Sequence, residues 1–304
     1  MLQPPGFCQQ FVETSLGNMV YSTVDSSPSD VSLWDGNGSQ GDRPTLVFLH
    51  GFGGGSSSYE WSNVYPAFAE DYRILAPDLI GWGQSSHPAR NYTIDDYLTT
   101  IAEFLTATCV GPVRVVASSL TAALTIRVAI AHPELFQCLI LTAPAGLSDF
   151  GADYRRSFFA QLVSTPVVDR LLYSTAIATE GGIRSFLEQR QFAHPERIYP
   201  ELVTAYRISA QQPNADYSAL SFVRGDLSFD LSLYISQLTI PTAILWGQKS
   251  QFTGPEIGQR LKDLNPNAIK ILQILDDVGL TPQLEQPAVT IGLIRRFLRQ
   301  LGNA

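Results

Sequence analysis

Six short apolar runs set among helical stretches constrain this chain more than anything else in it. Residues 45–49, 72–76, 113–117, 138–142, 242–246 and 269–275 are mostly apolar rather than alternating, as expected of strands buried on both faces of a parallel sheet. Between and after them, residues 57–70, 93–108, 120–131, 255–264 and 288–301 read as helices. Strands alternating with helices imply an α/β fold with helices covering both faces. Ahead of this series, 11–14 and 19–24 flank Ser15-Leu16-Gly17-Asn18 and read as a hairpin. Residues 25–43, rich in Ser, Asp and Gly, read as a surface loop. The alternation breaks over 145–231, where apolar residues fall at helical spacing and Pro166, Pro195, Pro200 and Pro213 punctuate. The expected organisation is a core in two parts, 1–144 and 232–304, with a helical insertion at 145–231.

Composition narrows the function. The 304 residues suffice for one large domain carrying an inserted subdomain. A net charge of −8 disfavours nucleic acid, whose phosphates attract basic faces. Three cysteines, Cys8, Cys109 and Cys138, lack metal-ligand spacing and read as unpaired thiols of a reducing compartment. No metal and no cofactor is expected. The first ten residues carry neither a basic segment nor an apolar run, and no apolar stretch is long enough to span a membrane. A cytoplasmic protein without an integral membrane segment is the expectation, and the glycosylation patterns at Asn37 and Asn91 are then chance matches.

Chemistry concentrates in three loops. Val115-Val116-Ala117-Ser118-Ser119-Leu120-Thr121-Ala122 is a strand, a sharp turn and a helix start. Such a turn presents a serine on strained backbone between small neighbours; Ala117 and Thr121 stand where glycines are usual. Alone, the segment reads better as a strand-to-helix loop with Ser119 capping the helix. Leu49-His50-Gly51-Phe52-Gly53-Gly54-Gly55 follows a buried strand and can aim a backbone N–H at a developing oxyanion. The donors would be Phe52 and Leu120. A phosphate loop would need G-x-x-x-x-G-K-[ST], which is absent. Asp78-Leu79-Ile80-Gly81-Trp82-Gly83-Gln84-Ser85 lacks the G-x-G-x-x-G of a dinucleotide site.

These loops, with Ala131-His132-Pro133-Glu134 and the tail Gly279-Leu280-Thr281-Pro282-Gln283-Leu284-Glu285-Gln286-Pro287, closely resemble the α/β-hydrolase family from about Met19 to Leu301. The resemblance implies a mostly parallel eight-stranded sheet, with 145–231 as a helical cap over the pocket. It also implies hydrolysis of ester, thioester, amide or carbon–carbon bonds on a serine, or occasionally lyase or halide chemistry. Carried over, Ser119 takes the nucleophile position. The family's acid follows a W-G-x-x-D turn, and here Trp246-Gly247-Gln248-Lys249-Ser250 puts Ser250 in that slot. The family's histidine falls on Leu280. No histidine occurs after His194, so no shift of alignment restores one. Asp149, near another place where the family keeps its acid, would have no histidine to orient; Asp276 and Asp277 read as solvated strand-end carboxylates.

In a serine protease, loss of the base costs on the order of 10⁶ in kcat. That is roughly 8 kcal/mol of barrier. Four histidines are available to substitute. His50 reads as a loop brace, His87 as a residue of the pocket mouth, and His194 as a cap residue. His132 lies a helix away from Ser119, nearly 20 Å by helical rise. Pocket candidates are therefore His50, Gly51, Ser118, His87 and His194. Three readings follow: a degenerate or repurposed hydrolase binding a small apolar or acyl-type ligand; an active esterase or acyltransferase in which Ser119 uses an unusual base such as His87, His194 or Ser118; and a cofactor-free lyase using His50 or an acidic residue. The aromatic residues Phe150, Tyr154, Phe158, Phe159, Tyr173, Phe186, Phe192, Tyr206 and Phe222 are expected to form cap core, with some lining a pocket.

Overall fold

A computed structural model describes residues 3–24, 43–152, 170 and 172–302. Its single sheet has eight strands: β1 (Phe7–Thr14), β2 (Gly17–Val24), β3 (Thr45–Leu49), β4 (Arg73–Pro77), β5 (Val113–Ser118), β6 (Phe136–Thr142), β7 (Thr242–Gly247) and β8 (Ile269–Leu275). They run in the order β1-β2-β4-β3-β5-β6-β7-β8. β1 and β2 are antiparallel, β2 meets β4 antiparallel, and every later pairing is parallel. The expected fold class and strands are thus present. The hairpin is longer than expected, because Thr14 already pairs with Gly17 and β1 reaches back to Phe7.

Helices α1 (Ile94–Thr108) and α2 (Ser119–Ala131) join the central strands, and α6 (Pro255–Leu264) joins β7 to β8. Between β6 and β7 the described residues hold α3 (Glu180–Phe186), α4 (Pro200–Ala210) and α5 (Ala215–Val223), with single turns of other helix types. A one-turn α7 (Pro282–Glu285) precedes α8 (Pro287–Leu301). Pro287 opens α8 because a first-turn residue needs no N–H partner. Residues 25–42, and Tyr154, Phe158 and Phe159 of the aromatic set, lie outside the described residues.

One helix expectation fails. Residues 57–70 form two separate 3₁₀ turns, Ser58–Trp61 and Tyr65–Phe68, not one helix. Pro66 has no N–H to close an α-helical bond back to Ser62, and its ring crowds that carbonyl. The break leaves Glu60 facing inward, with consequences for the site.

The sheet is buried on both sides because its strands alternate between two cores. Val47, Leu49, Val115 and Ala117 face α1, α2 and the helices inserted after β6. Leu46, Phe48 and Val116 face α8 and the 3₁₀ turns. α8 fits its side through Ile294, Phe297, Leu298 and Leu301, one stripe at i, i+3, i+4 and i+7. Full burial of each is worth about 1.5–3 kcal/mol. α2 is buried almost all round and so is held wholly by tertiary packing.

Candidate active site

β5 ends at Ser118 in extended backbone, and Ser119, the first residue of α2, turns to φ 56°. A non-glycine residue in this region carries strain of about 1–3 kcal/mol. Ala117 and Thr121 are both fully buried beside the turn. Among the described residues no hydrogen bond involves the Ser119 hydroxyl, although its neighbour Ser118 receives one: Gln283 Nε2 donates to Ser118 Oγ at 3.2 Å. Gln283 Oε1, wholly buried, has no partner.

The loop after β3 sits against this turn. A Cβ built on Gly51 would lie 3.5 Å from Ser119 Cβ, 3.5 Å from Glu60 Oε2 and 3.6 Å from Ser118 Oγ, so these three groups crowd one glycine. Gly51 N–H donates to Glu60 Oε2 at 2.9 Å, and the Tyr206 hydroxyl donates to Glu60 Oε1 at 2.9 Å. Glu60 is buried, and among the described residues no cation pairs with it. No hydrogen bond among the described residues uses the Phe52 N–H. Leu120, in the first turn of α2, lies where a helix offers its N–H no internal acceptor.

Leu280 is buried against the core and ties its N–H to the Gln191 carbonyl at 2.8 Å. Gly279 N–H donates to Glu285 Oε1 and Ala193 N–H to Glu285 Oε2, so one carboxyl group knits this turn to the segment after α3. Burial raises the Glu285 pKa. The Ser250 turn adjoins it: a side chain on Gly247 would overlap the Gly279 carbonyl. The Ser250 hydroxyl is buried without a partner, as is that of Thr281. The structure therefore brings the 250 and 280 turns together, with serine and leucine in them.

None of the four imidazoles bonds to Ser119. His50 is wholly buried; it receives the Leu79 N–H on Nε2 at 3.0 Å, which places its proton on Nδ1, 2.7 Å from the Gly51 carbonyl. Both nitrogens are thereby spent on backbone, and the ring braces the loop rather than serving as a free base. His87 has a buried Nε2 without a partner, and desolvation lowers its pKa; its charge neighbours are Asp78 and Asp216. His132 stands exposed near Glu134 at 3.5 Å. His194 bonds Asp277 at 2.6 Å and Glu196 at 3.0 Å. Asp277 is also held by Lys249 and Arg197, and these donors together push its carboxyl far below the usual range. Asp277 is thus a salt-bridge hub rather than a merely solvated carboxylate. Asp149 accepts the Gly146 and Leu231 N–H groups at 2.8 Å each, clamping the start of the insertion to its end. Burial raises its pKa to about 6.

The insertion presses directly on the 50–55 loop. A Cβ on Gly53 would lie 2.9 Å from the Phe186 ring, and one on Gly54 3.1 Å from Ile177. Gly55 adopts φ 98°, and any side chain there would overlap the Tyr206 carbonyl. The Phe52 and Phe222 rings lie 6.0 Å apart, and Phe222 stacks on Phe252 at 6.4 Å. Tyr173, Phe192, Tyr206 and Phe222 are buried, while Phe150 lies under Arg260. Sequence reasoning missed Glu60, Gln191 and Gln283 as site neighbours and named Tyr206 only within the aromatic set of the insertion. Among the described residues no cluster could hold a metal ion, and no helix is long and apolar enough to cross a membrane.

Comparison with known proteins places these elements in context. The family model for the alpha/beta hydrolase fold matches residues 44–287. Lipase 1 of Psychrobacter immobilis is 26% identical over 278 residues, covering 90% of this chain and 82% of the lipase. Epoxide hydrolase 4 of Mus musculus is 25% identical over 270 residues, covering 85% and 74%. Among solved structures, a serine hydrolase involved in carbazole degradation superposes with a TM-score of 0.74 at 21% identity, covering 97% of this chain and 99% of its own. The epoxide hydrolase CorEH superposes with 0.75 at 20% identity, covering 97% and 99%.

Proposed function

Because this chain belongs to the α/β-hydrolase fold family, we propose that it keeps the family's scaffold to bind a small apolar or acyl-type ligand and has given up serine-based turnover. The division into a core of 1–144 and 232–304 with a cap at 145–231 is part of this reading. The ligand sits between the elbow and the cap. One observation carries the proposal: among the described residues no imidazole bonds the Ser119 hydroxyl, His50 and His194 are committed to other partners and His132 stands exposed, and on this reading Leu280 takes the histidine slot. An oxyanion loop with binding alone retains only about 10³–10⁴ over water.

Two further features support it. Glu60 puts an oxygen that accepts the Gly51 N–H beside the elbow, where an oxyanion needs donors. Phe252, two residues beyond Ser250, stacks on Phe222, so the turn that would supply an acid supplies part of an aromatic wall. That wall suits an acyl chain or an aromatic ring.

Thermal unfolding with a panel of medium-chain fatty acids and aryl ketones tests the reading. At a hundredfold excess over Kd a true ligand adds about 2.7 kcal/mol of stability. The gain is expected to survive Ser119→Ala and to vanish in Phe222→Arg. Ester turnover abolished by Ser119→Ala would replace this reading with an active hydrolase. Activity surviving Ser119→Ala but lost in His50→Ala would replace it with a lyase.

A further inference from the structure

We propose that a cavity of mixed polar and apolar lining, at the junction of hairpin, core and insertion, binds a small neutral saccharide. It encloses about 310 Å³, at the lower end of the range for small-molecule sites, and it is lined by residues from β1, β2, the 57–59 turn, the loop after β4, and α4. Neither Ser119 nor Leu280 lines it.

Its chemistry is one-sided. The lining holds no Lys, Arg or His, and its single charged group is Asp78. A carboxylate or phosphate ligand would find no cation there and one fixed acceptor against it. Asp78 needs no cationic ligand either. Its Oδ1 accepts the Ser58 N–H and its Oδ2 the Gln84 N–H, each at 2.7 Å. Each oxygen keeps a lone pair for a hydroxyl. The floor is buried, with Ser58, Ser209 and the ring of Tyr65; the Ser209 hydroxyl already donates to the Ser56 carbonyl and accepts the Gly83 N–H, so the ligand's polar contacts fall to Asp78 and the rim. The rim is amidic. Gln3, Gln9, Gln84 and Gln212 all line the cavity, and the Gln3 Nε2 is buried without a partner. Among the described residues the Gln9 and Gln84 side chains make no hydrogen bond.

Rings and aliphatic surface complete the set through Tyr59, Tyr65 and Ile208. A carboxylate, several free amides and aromatic faces match the alternating hydroxyls and C–H faces of a sugar ring. Donors and acceptors are both needed by such a ligand, and amides supply both. The site joins the core to α4, so occupancy would also hold the insertion against the hairpin.

Saturation-transfer NMR with glucose and maltose tests this, with gluconate as the anionic control. Transfer to either neutral sugar and none to gluconate is the expected result. Gln212→Trp, which fills the cavity from its rim, is expected to abolish the signal. Gln9→Leu, a milder change on the exposed face of β1, is expected to weaken it roughly fivefold, the loss of one hydrogen bond. Ser119→Ala is expected to leave it unchanged. No transfer to either sugar, equal transfer to gluconate, a signal that persists in a folded Gln212→Trp, or one lost in Ser119→Ala would each overturn the assignment.

Discussion

Leu280→His combined with Ser250→Asp is expected to raise p-nitrophenyl ester hydrolysis by about a hundredfold or more, the lower range of what a positioned general base contributes. The two slots adjoin, because the Gly247 and Gly279 backbones are in contact and no side chain fits between them. An aspartate at 250 and a histidine at 280 therefore enter neighbouring turns, and Gln283 of the second turn already reaches Ser118. Either single substitution is expected to give much less, since a triad acts as a unit and its parts are far from additive. Adding Ser119→Ala to the double variant is expected to return hydrolysis to the starting level. Steady-state kinetics alongside circular dichroism separates a misplaced slot from a misfolded chain. A folded double variant that stays inert would mean that residues 250 and 280 are not the acid and base positions.

Glu60→Ala carries the second large effect, a destabilisation on the order of 3 kcal/mol or more. The carboxyl group accepts from the Gly51 N–H and the Tyr206 O–H in a buried setting. Truncation orphans the Gly51 N–H at about 1–3 kcal/mol, leaves Tyr206 only its longer bond to Gln191, and opens a buried void that adds to the cost. Glu60→Gln is expected to cost about 1 kcal/mol, because one oxygen remains and the Tyr206 hydroxyl can turn toward Gln191, already 3.2 Å away. Urea unfolding of both variants reads the difference. Equal midpoints for the two would show that Glu60 does not hold the loop to α4.

The sheet was legible because its central strands are buried on both faces, which leaves nearly unbroken apolar runs such as 45–49 and 242–246. The turns that carry Ser250 and Leu280 were located by the motifs that flank them, and Gly247 and Gly279 in those turns admit no side chain. The failure at 57–70 has a local cause in Pro66, which breaks the helix between the two 3₁₀ turns. Glu60 was not legible. Its partners are Gly51 and Tyr206, the latter 146 residues away in sequence, and nothing nearby marks a charged residue as buried. Gln283 was hidden for the same reason, since its contact with Ser118 spans 165 residues. The histidines show the other limit. Their number is plain in the chain, but the commitment of both His50 ring nitrogens to backbone arises only in the folded loop.

The most direct test of an unactivated serine is the rate at which a fluorophosphonate modifies Ser119, followed by intact mass. The account predicts no adduct on the wild-type protein over hours at neutral pH, and an adduct on the Leu280→His, Ser250→Asp variant that Ser119→Ala removes. Rapid stoichiometric labelling of the wild-type Ser119 would contradict it, because only a serine with a working base reacts in that way.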